Sequence, residues 1–346
     1  MHKDIKDFTL KELEAGMAEI GEPAYRAEQI FAWVYQRGLR SFELCSDISK
    51  SLREKLAARY SFGAVDLLQR YLSADGTEKF LFKLADGFLI ESVLIPAGAR
   101  HTVCLSTQVG CKFGCAFCAS GLGGFKRDLR SSEILGQVLF LRDRLKMHLT
   151  NFVFMGMGEP LDNFENTARA ILIMNSPQGL GIAARRMTVS TVGLEPGIES
   201  LRKLGLQVNL SLSLHAVRDE LRSKLVPINQ KHPLEKVIGA CQDYACASGR
   251  MMTLEYVLIQ NINDGPADAQ GLARIAARLK AKINLILYSP VCGLEFQPPS
   301  RNRATQFLEW LEDKGAHVTL RRSKGLDIQA ACGQLAVRHA TKPEGP

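Results

Sequence analysis

Three cysteines, Cys111, Cys115 and Cys118, form a C-x-x-x-C-x-x-C run. Cys104 stands seven residues ahead of it, and Cys332 lies far downstream in Ala330-Ala-Cys-Gly-Gln-Leu335. Clustered thiols at such spacing bind metal, and the ligand count narrows which one. A structural zinc site is usually completed by four protein ligands, and the nearest candidates for a fourth, His101 and Cys104, both precede the triplet. Electron-transfer iron–sulfur clusters normally take four cysteines as well. Three thiolates on a four-iron, four-sulfur cluster leave one iron open to a substrate. For this spacing that substrate is S-adenosylmethionine (SAM), chelated through its amino and carboxylate groups. Gly110 precedes the first cysteine, Phe117 the third, and glycines follow at 121, 123 and 124. Lacking Cβ, these glycines let backbone approach the cluster and its ligand closely.

The elements that would position these thiols are strands alternating with helices. Apolar runs at 102–106, 151–155, 187–191, 208–214, 253–258, 283–287 and 316–320 read as strands, separated by amphipathic stretches such as 131–147, 233–247 and 301–315. That alternation predicts an α/β fold with parallel strands and outer helices, and functional residues then collect at the carboxyl ends of the strands. The second strand runs into Met155-Gly-Met-Gly-Glu-Pro160, where backbone at Gly158 and the carboxylate of Glu159 are placed to meet the SAM amino group. Ser190 and Thr191 end the third strand, and Ser213, Leu214 and His215 end the fourth. In series with those strand ends, His215 is expected to face a ligand.

Ahead of this region, residues 1–62 read as helical, with apolar faces over 26–37 and 51–60 and a breaker at Gly21-Glu-Pro23. Asp75-Gly76 and Asp86-Gly87 then punctuate three apolar runs, the pattern of a three-stranded meander over 63–97. The strand-and-helix region spans 98–341, and 342–346 reads as a frayed tail. On the last meander strand Glu91 shares a side with Leu89 and Val93. Burial there would raise its pKa and suit it to proton abstraction.

No stretch approaches 18 uninterrupted apolar residues and the N-terminus has no signal-peptide pattern, so neither a membrane span nor export is expected. Nine cysteines, three of them clustered, favour the reducing cytoplasm and metal or redox chemistry. Cys45, Cys241, Cys246 and Cys292 carry no motif and read as buried small residues. The net charge is +8. Basic groups concentrate at 37–60 (Arg37, Arg40, Lys50, Arg53, Lys55, Arg59), at Arg185-Arg186, and at Arg321, Arg322 and Lys324 before Cys332. Such groups suit a phosphate backbone, whose contacts supply affinity rather than base choice.

Together these stretches resemble the radical-SAM adenosine C2-methyltransferases that modify large-subunit ribosomal RNA and transfer RNA. The likeness is carried by Gly21-Glu-Pro-Ala-Tyr-Arg26, Cys104-Leu-Ser-Thr-Gln-Val-Gly-Cys111, the cysteine triplet, Gly124-Phe-Lys-Arg127, Met155 to Pro160, Ser213-Leu-His-Ala216, Val226-Pro-Ile-Asn229 and Ala330 to Leu335. It implies a partial (βα)6 radical-SAM barrel with an N-terminal helical RNA-binding domain and a short β linker. It also implies a [4Fe-4S] cluster on Cys111, Cys115 and Cys118, with SAM held by Gly158, Glu159, Ser190, Ser213, Leu214, His215 and Ser289.

The chemistry implied uses SAM twice. One SAM methylates Cys332, and a second yields a 5′-deoxyadenosyl radical that takes hydrogen from that methyl group. The resulting carbon radical adds to adenine C2, Glu91 accepts the C2 proton, and Cys104 releases the adduct by forming a transient Cys104–Cys332 disulfide. The partners implied are 23S rRNA, tRNA, an external electron donor and a disulfide reductant, with the enzyme a monomer. Two positions depart from the family pattern: Ser289 stands where a SAM-contacting asparagine is expected, and Asp128 where asparagine is frequent. A sister group that methylates adenine C8 shares both outlying cysteines, while Phe125 favours the C2 group. A non-catalytic iron–sulfur RNA-binding protein would need neither Cys332 nor the strand-end motifs.

Overall fold

The structure, a computed structural model, describes residues 3–63, 65–321 and 323–336. A ten-stranded sheet runs through it. In chain order, and adjacent in that order, its strands are Asp66–Leu72, Glu78–Lys83, Leu89–Ala97, Arg100–Cys104, Asn151–Phe154, Met187–Thr191, Asn209–Ser213, Thr253–Leu258, Lys282–Leu287 and Val318–Arg321. The first four pair antiparallel through tight turns. From Arg100–Cys104 onward every pairing is parallel. The two edge strands are not neighbours, so the barrel is partial. A seventh parallel strand, Val318–Arg321, extends it past six. The meander is a continuation of the barrel sheet, and its turns fall where expected, with Gly76 and Gly87 both at positive φ.

Parallel strands covered on both faces read as near-continuous apolar runs, and Thr253–Leu258 is buried at every position. The outer layer is built from helices Ser131–Leu139, Phe164–Asn175, Glu195–Lys203, Leu234–Ser248, Pro266–Leu279 and Arg301–Glu312. Their stops have local causes. Leu234–Ser248 ends on Gly249 in the left-handed region, and Ser131–Leu139 passes into a π turn at Phe140–Arg144, three residues short of the expected 147.

The N-terminal module holds helices Leu10–Glu19, Tyr25–Tyr35 and Lys50–Arg59. Thr9 and Glu12 close a capping box on the first, and Ser49 caps the third. A two-residue parallel ladder of Lys3–Asp4 with Tyr60–Ser61 joins the module's two ends. The module is bolted to the barrel by polar contacts. Asp7 Oδ1 accepts from Ser132 N at 2.8 Å and Ser131 Oγ at 3.1 Å, Arg142 donates to Tyr35 O at 2.6 Å, and Arg169 pairs with Glu12 at 2.8 Å.

Several sequence expectations are corrected. Cys45 and Cys241 are buried, but Cys246 and Cys292 are exposed, because one lies on the outer side of its helix and the other in the loop after Lys282–Leu287. Arg185 and Arg186 precede Met187–Thr191 and so sit at the amino end of the barrel, away from the site. Arg321 is directed inward rather than to a surface. Arg322 and the tail at 342–346 lie outside the described residues.

Candidate active site

The loop carrying the cysteine triplet leaves the carboxyl end of Arg100–Cys104. A short antiparallel ladder of Gln108–Val109 with Arg127–Asp128 anchors its base. Gly110 is obligatory there: its φ is +76°, and a Cβ would come within 1.9 Å of the Gly124 carbonyl oxygen. Within the loop, Cys118 N donates to Cys115 O at 3.0 Å. All three thiols are free. Burial raises each, Cys111 to about 12 and the other two in the same direction. The protein alone therefore does not hold them as thiolates, whereas bound iron would. No three His, Cys, Asp or Glu side chains among the described residues are grouped to hold a single metal ion.

Behind this loop, at the carboxyl ends of the strands, is a cavity of about 140 Å³ whose wall includes Cys115, Cys118, Gly158, Glu159, Ser190, Ser213, His215, Ser289 and Cys332. All but Leu214 and Cys111 of the residues expected to hold cluster or SAM are thus brought to one wall, and Cys111 sits on the same loop as the other two thiols. Ser190 and Ser213 lie on neighbouring strands with hydroxyl oxygens 3.2 Å apart. His215 has φ +57°, and its Nδ1 accepts the Val257 N–H at 3.1 Å. The ring proton is therefore on Nε2. Burial, with Arg222 adding to it, lowers the His215 pKa to about 3, so the ring is a neutral donor throughout the physiological range. Ser289 Oγ donates to Ser323 Oγ at 3.1 Å, so the position where asparagine was expected offers a pair of hydroxyls.

Two expected ligands need correction or refinement. Leu214 is fully buried in the core, and its carbonyl is taken by Ala216 N at 2.8 Å and Arg222 Nε at 3.1 Å; it does not reach the cavity. Glu159 does reach it, but its oxygens already accept from Val192 N at 2.9 Å and Leu161 N at 3.1 Å. Burial raises its pKa to about 7 against those two N–H groups. Its first task is to pin two strand-end loops together, which leaves the remaining lone pairs for a ligand. Gln108 supports the Gly158-Glu159 turn: it accepts from Glu159 N at 2.9 Å and donates to Asp128 at 2.8 Å and Asp162 at 2.7 Å. A Cβ on Gly158 would meet the Gln108 side chain at 2.4 Å. Asp128 serves that acceptor role as well as asparagine would.

A second, smaller cavity of about 40 Å³ adjoins the first, with Cys104, Cys332, Val93, Arg321 and Ser323 on its wall. Cys332 belongs to both. Its segment is fastened at several points: Asp327 takes Ser73 Oγ at 2.6 Å, Gly333 O takes Ala119 N at 2.7 Å, Leu335 O takes Ser120 Oγ at 2.6 Å, and Gln334 donates to Pro290 O at 2.9 Å. Cys104 is pushed up to about 12 by burial and by the neighbouring Cys332. Cys332 is exposed as a residue, yet its sulfur is directed into the cavity wall, where desolvation raises it, opposed by the Arg321 guanidinium.

Glu91 is buried and its pKa is raised by that burial, against the opposing charge of Lys79. Oε1 meets Lys79 Nζ at 3.0 Å, while Oε2 is buried without a hydrogen-bond partner. Lys79 also donates to Gln329 O at 3.4 Å, three residues before Cys332. Glu91 therefore does not face water. Sequence reasoning missed Glu255. It lines the larger cavity, accepts from Ser211 and Asn284 on Oε1, and leaves Oε2 buried and unpaired. Its signal was one acid inside an otherwise apolar strand.

Residues 105–269 match the radical SAM superfamily, and 3–61 match the ribosomal RNA large subunit methyltransferase N-terminal domain. The crystal structure of a radical SAM methyltransferase from Sphaerobacter thermophilus superposes with a TM-score of 0.90 at 43% identity, covering 96% of this chain and 99% of that one. The fold is that of a radical-SAM enzyme, a class that uses a [4Fe-4S] cluster and SAM. The dual-specificity RNA methyltransferase RlmN of Syntrophobacter fumaroxidans is 44% identical over 97% of this chain and 98% of its own length. That of Nitratiruptor is 43% identical over 96% and 97%. The chain belongs to the RlmN family of RNA methyltransferases. It is therefore an enzyme acting on RNA, not a non-catalytic iron–sulfur carrier. Among the described residues no helix is long and apolar enough to cross a membrane.

Proposed function

We propose that this enzyme methylates C2 of an adenosine in 23S rRNA, and of adenosine in tRNA, through a methylated Cys332. What supports this most is the position of Cys332 on the wall shared by the two cavities, facing the cluster loop on one side and Cys104 on the other. From there its thiolate takes a methyl group from SAM: an S–C bond forms, the sulfonium–methyl bond breaks, and S-adenosylhomocysteine leaves. When bound through Cys111, Cys115 and Cys118, the cluster with a second SAM and one external electron supplies the 5′-deoxyadenosyl radical that removes hydrogen from this methyl group.

The residues then divide the remaining work. Gly158, Glu159, Ser190, Ser213, His215 and Ser289 hold SAM, with His215 Nε2–H as a neutral donor. The carbon on Cys332 adds to C2; the adduct gives up one electron to the oxidised form of the external donor and its C2 proton to Glu91, which restores the ring. Oε2 of Glu91, the oxygen that Lys79 does not hold, takes that proton. Cys104, as a thiolate, then attacks the Cys332 sulfur: an S–S bond forms, the S–C bond breaks, the freed carbon takes up a proton to become the methyl group, and an external reductant reopens the disulfide. Nine free cysteines suit a reducing cytoplasm, and the enzyme acts as a monomer.

Incubation of anaerobically reconstituted enzyme with 23S rRNA and with tRNA, followed by mass spectrometry of the digests, tests the assignment. The expected product is 2-methyladenosine from both. Finding 8-methyladenosine alone would move the chain to the sister chemistry, and unmodified tRNA would confine it to rRNA.

A further inference from the structure

Arg222 is fully buried, on the short helix Asp219–Leu225. Its guanidinium donates to Leu214 O at 3.1 Å, Asn229 Oδ1 at 2.7 Å, Val192 O at 2.6 Å and Ser213 O at 3.3 Å. Every one of these acceptors is neutral. Asp219, three residues back on the same helix, acts on the guanidinium only through space and hydrogen-bonds instead to Asn229 Nδ2 at 2.8 Å and Leu234 N at 2.9 Å. Four good hydrogen bonds satisfy the donors but not the charge, and a buried charge without an opposite one is costly in a low-dielectric interior.

The helix that carries Arg222 is sewn to the cysteine loop. Ala116 N donates to Leu225 O at 2.9 Å, and Leu225 and Val226 pack with Phe117, Cys115 and Cys118. Of the ionisable groups around it, Arg222 interacts most strongly with the Cys115 thiol. We propose that Arg222 is the counter-charge of the iron–sulfur cluster and raises the cluster's reduction potential, which goes beyond holding strand-end loops in place. With three thiolates the cluster is anionic, and accepting one electron from an external donor adds a negative charge without making or breaking a covalent bond. A fixed cation therefore favours the reduced state more than the oxidised one. Arg222 links Ser213-Leu-His-Ala216 to Val226-Pro-Ile-Asn229, two stretches that have no thiol of their own. The proposal rests on assigning the cluster to Cys111, Cys115 and Cys118.

Wild type, Arg222→Lys and Arg222→Gln are reconstituted anaerobically, assayed for iron and sulfide, and titrated with dithionite while the reduced cluster is followed by electron paramagnetic resonance. Arg222→Gln should keep its cluster but show about tenfold less reduced cluster at a fixed potential, while Arg222→Lys stays within about twofold of wild type. Equal potentials in all three, with intact clusters, would overturn the proposal and leave Arg222 as a loop staple. Iron-free wild type would instead overturn the cysteine assignment. If Arg222→Gln does not fold, Cys241 decides, because this buried thiol lies within the guanidinium's field. Cys241→Asp gives Arg222 a protein anion and should shift the potential negative, whereas Cys241→Asn should not. An unshifted Cys241→Asp cluster overturns the proposal.

Discussion

The N-terminal module and the carboxyl end of the barrel hold the same charged residue types in two different settings. In the module most pairs are wet: Arg59 and Glu19 have 38% and 61% of their side chains exposed, and Arg37–Asp47, Lys50–Glu54 and Lys55–Glu22 also face water, with Lys6–Asp4 the buried exception. Around the site they are dry, as for Lys79 and Glu91 on the meander at 9% and 5%, although pairs on the outer helices such as Arg278–Glu235 face water. Glu159, Arg222 and Glu255 are buried as well. Water screens the first set, so each pair contributes little and the basic groups remain free to exchange acid partners for phosphates. Desolvation magnifies the second set, and there a carboxylate's pKa is set by what touches it. On the proposed function, the same type of side chain would dock RNA in one region and act as a reagent in the other.

That contrast can be broken most forcefully at the thiols. Cys332→Ala should retain cluster and SAM binding yet give no methylated RNA. Cys104→Ala should accumulate protein cross-linked to RNA, seen as a slow-migrating band that nuclease removes. Freely migrating methylated RNA at the wild-type rate from either variant would remove both from the mechanism.

A smaller but still large effect is expected at the buried carboxylate. Glu91→Gln should lower the rate by about 10²–10⁴ and trap the adduct before the C2 proton leaves. The base must be ionised, and burial raises its pKa, so activity should rise with pH through that pKa. Lys79 opposes the rise; Lys79→Met should move the acid limb of the pH–rate profile to higher pH. An unmoved limb would mean that another group titrates. His215, already neutral, should add no inflection between pH 5 and 8.

Effects in the module should be graded and salt-dependent. Charge-neutralising substitution of Arg40 and Lys50, both exposed on the module, should weaken RNA binding uniformly across sequences. The slope of log affinity against log salt should fall by about one for each phosphate that the variant no longer neutralises. SAM cleavage should be spared. Smallest of all, Arg59→Ala should cost under about 1 kcal/mol of stability, and 1 M salt should erase the difference in thermal melts. A large, salt-insensitive loss would mean that the module's surface pairs are structural after all.

Much of this molecule was legible in its chain. Ligand spacing within Cys111–Cys118 is local, so it announced cluster chemistry before any fold was known. Strand ends carry their own punctuation, which is why Gly158, Glu159, Ser190, Ser213 and His215 could be placed together. Asp-Gly turns marked the meander because only a few residue types accept positive φ there. Burial and direction are not local, and there the chain was silent. Leu214 and His215 are adjacent, yet one enters the core and the other the cavity. Arg321 resembles any surface cation until Val318–Arg321 joins the sheet and turns it toward Cys104 and Cys332. Cys246 and Cys292 look like Cys241 in sequence but face solvent. Tertiary structure alone decided that Cys104 and Cys332 share one cavity wall, because the contacts fastening the last segment to the meander and the cysteine loop join residues hundreds of positions apart. Composition and periodicity report a residue's preference for water or oil, whereas the charge it can bear and the partner it meets depend on what the folded chain places beside it.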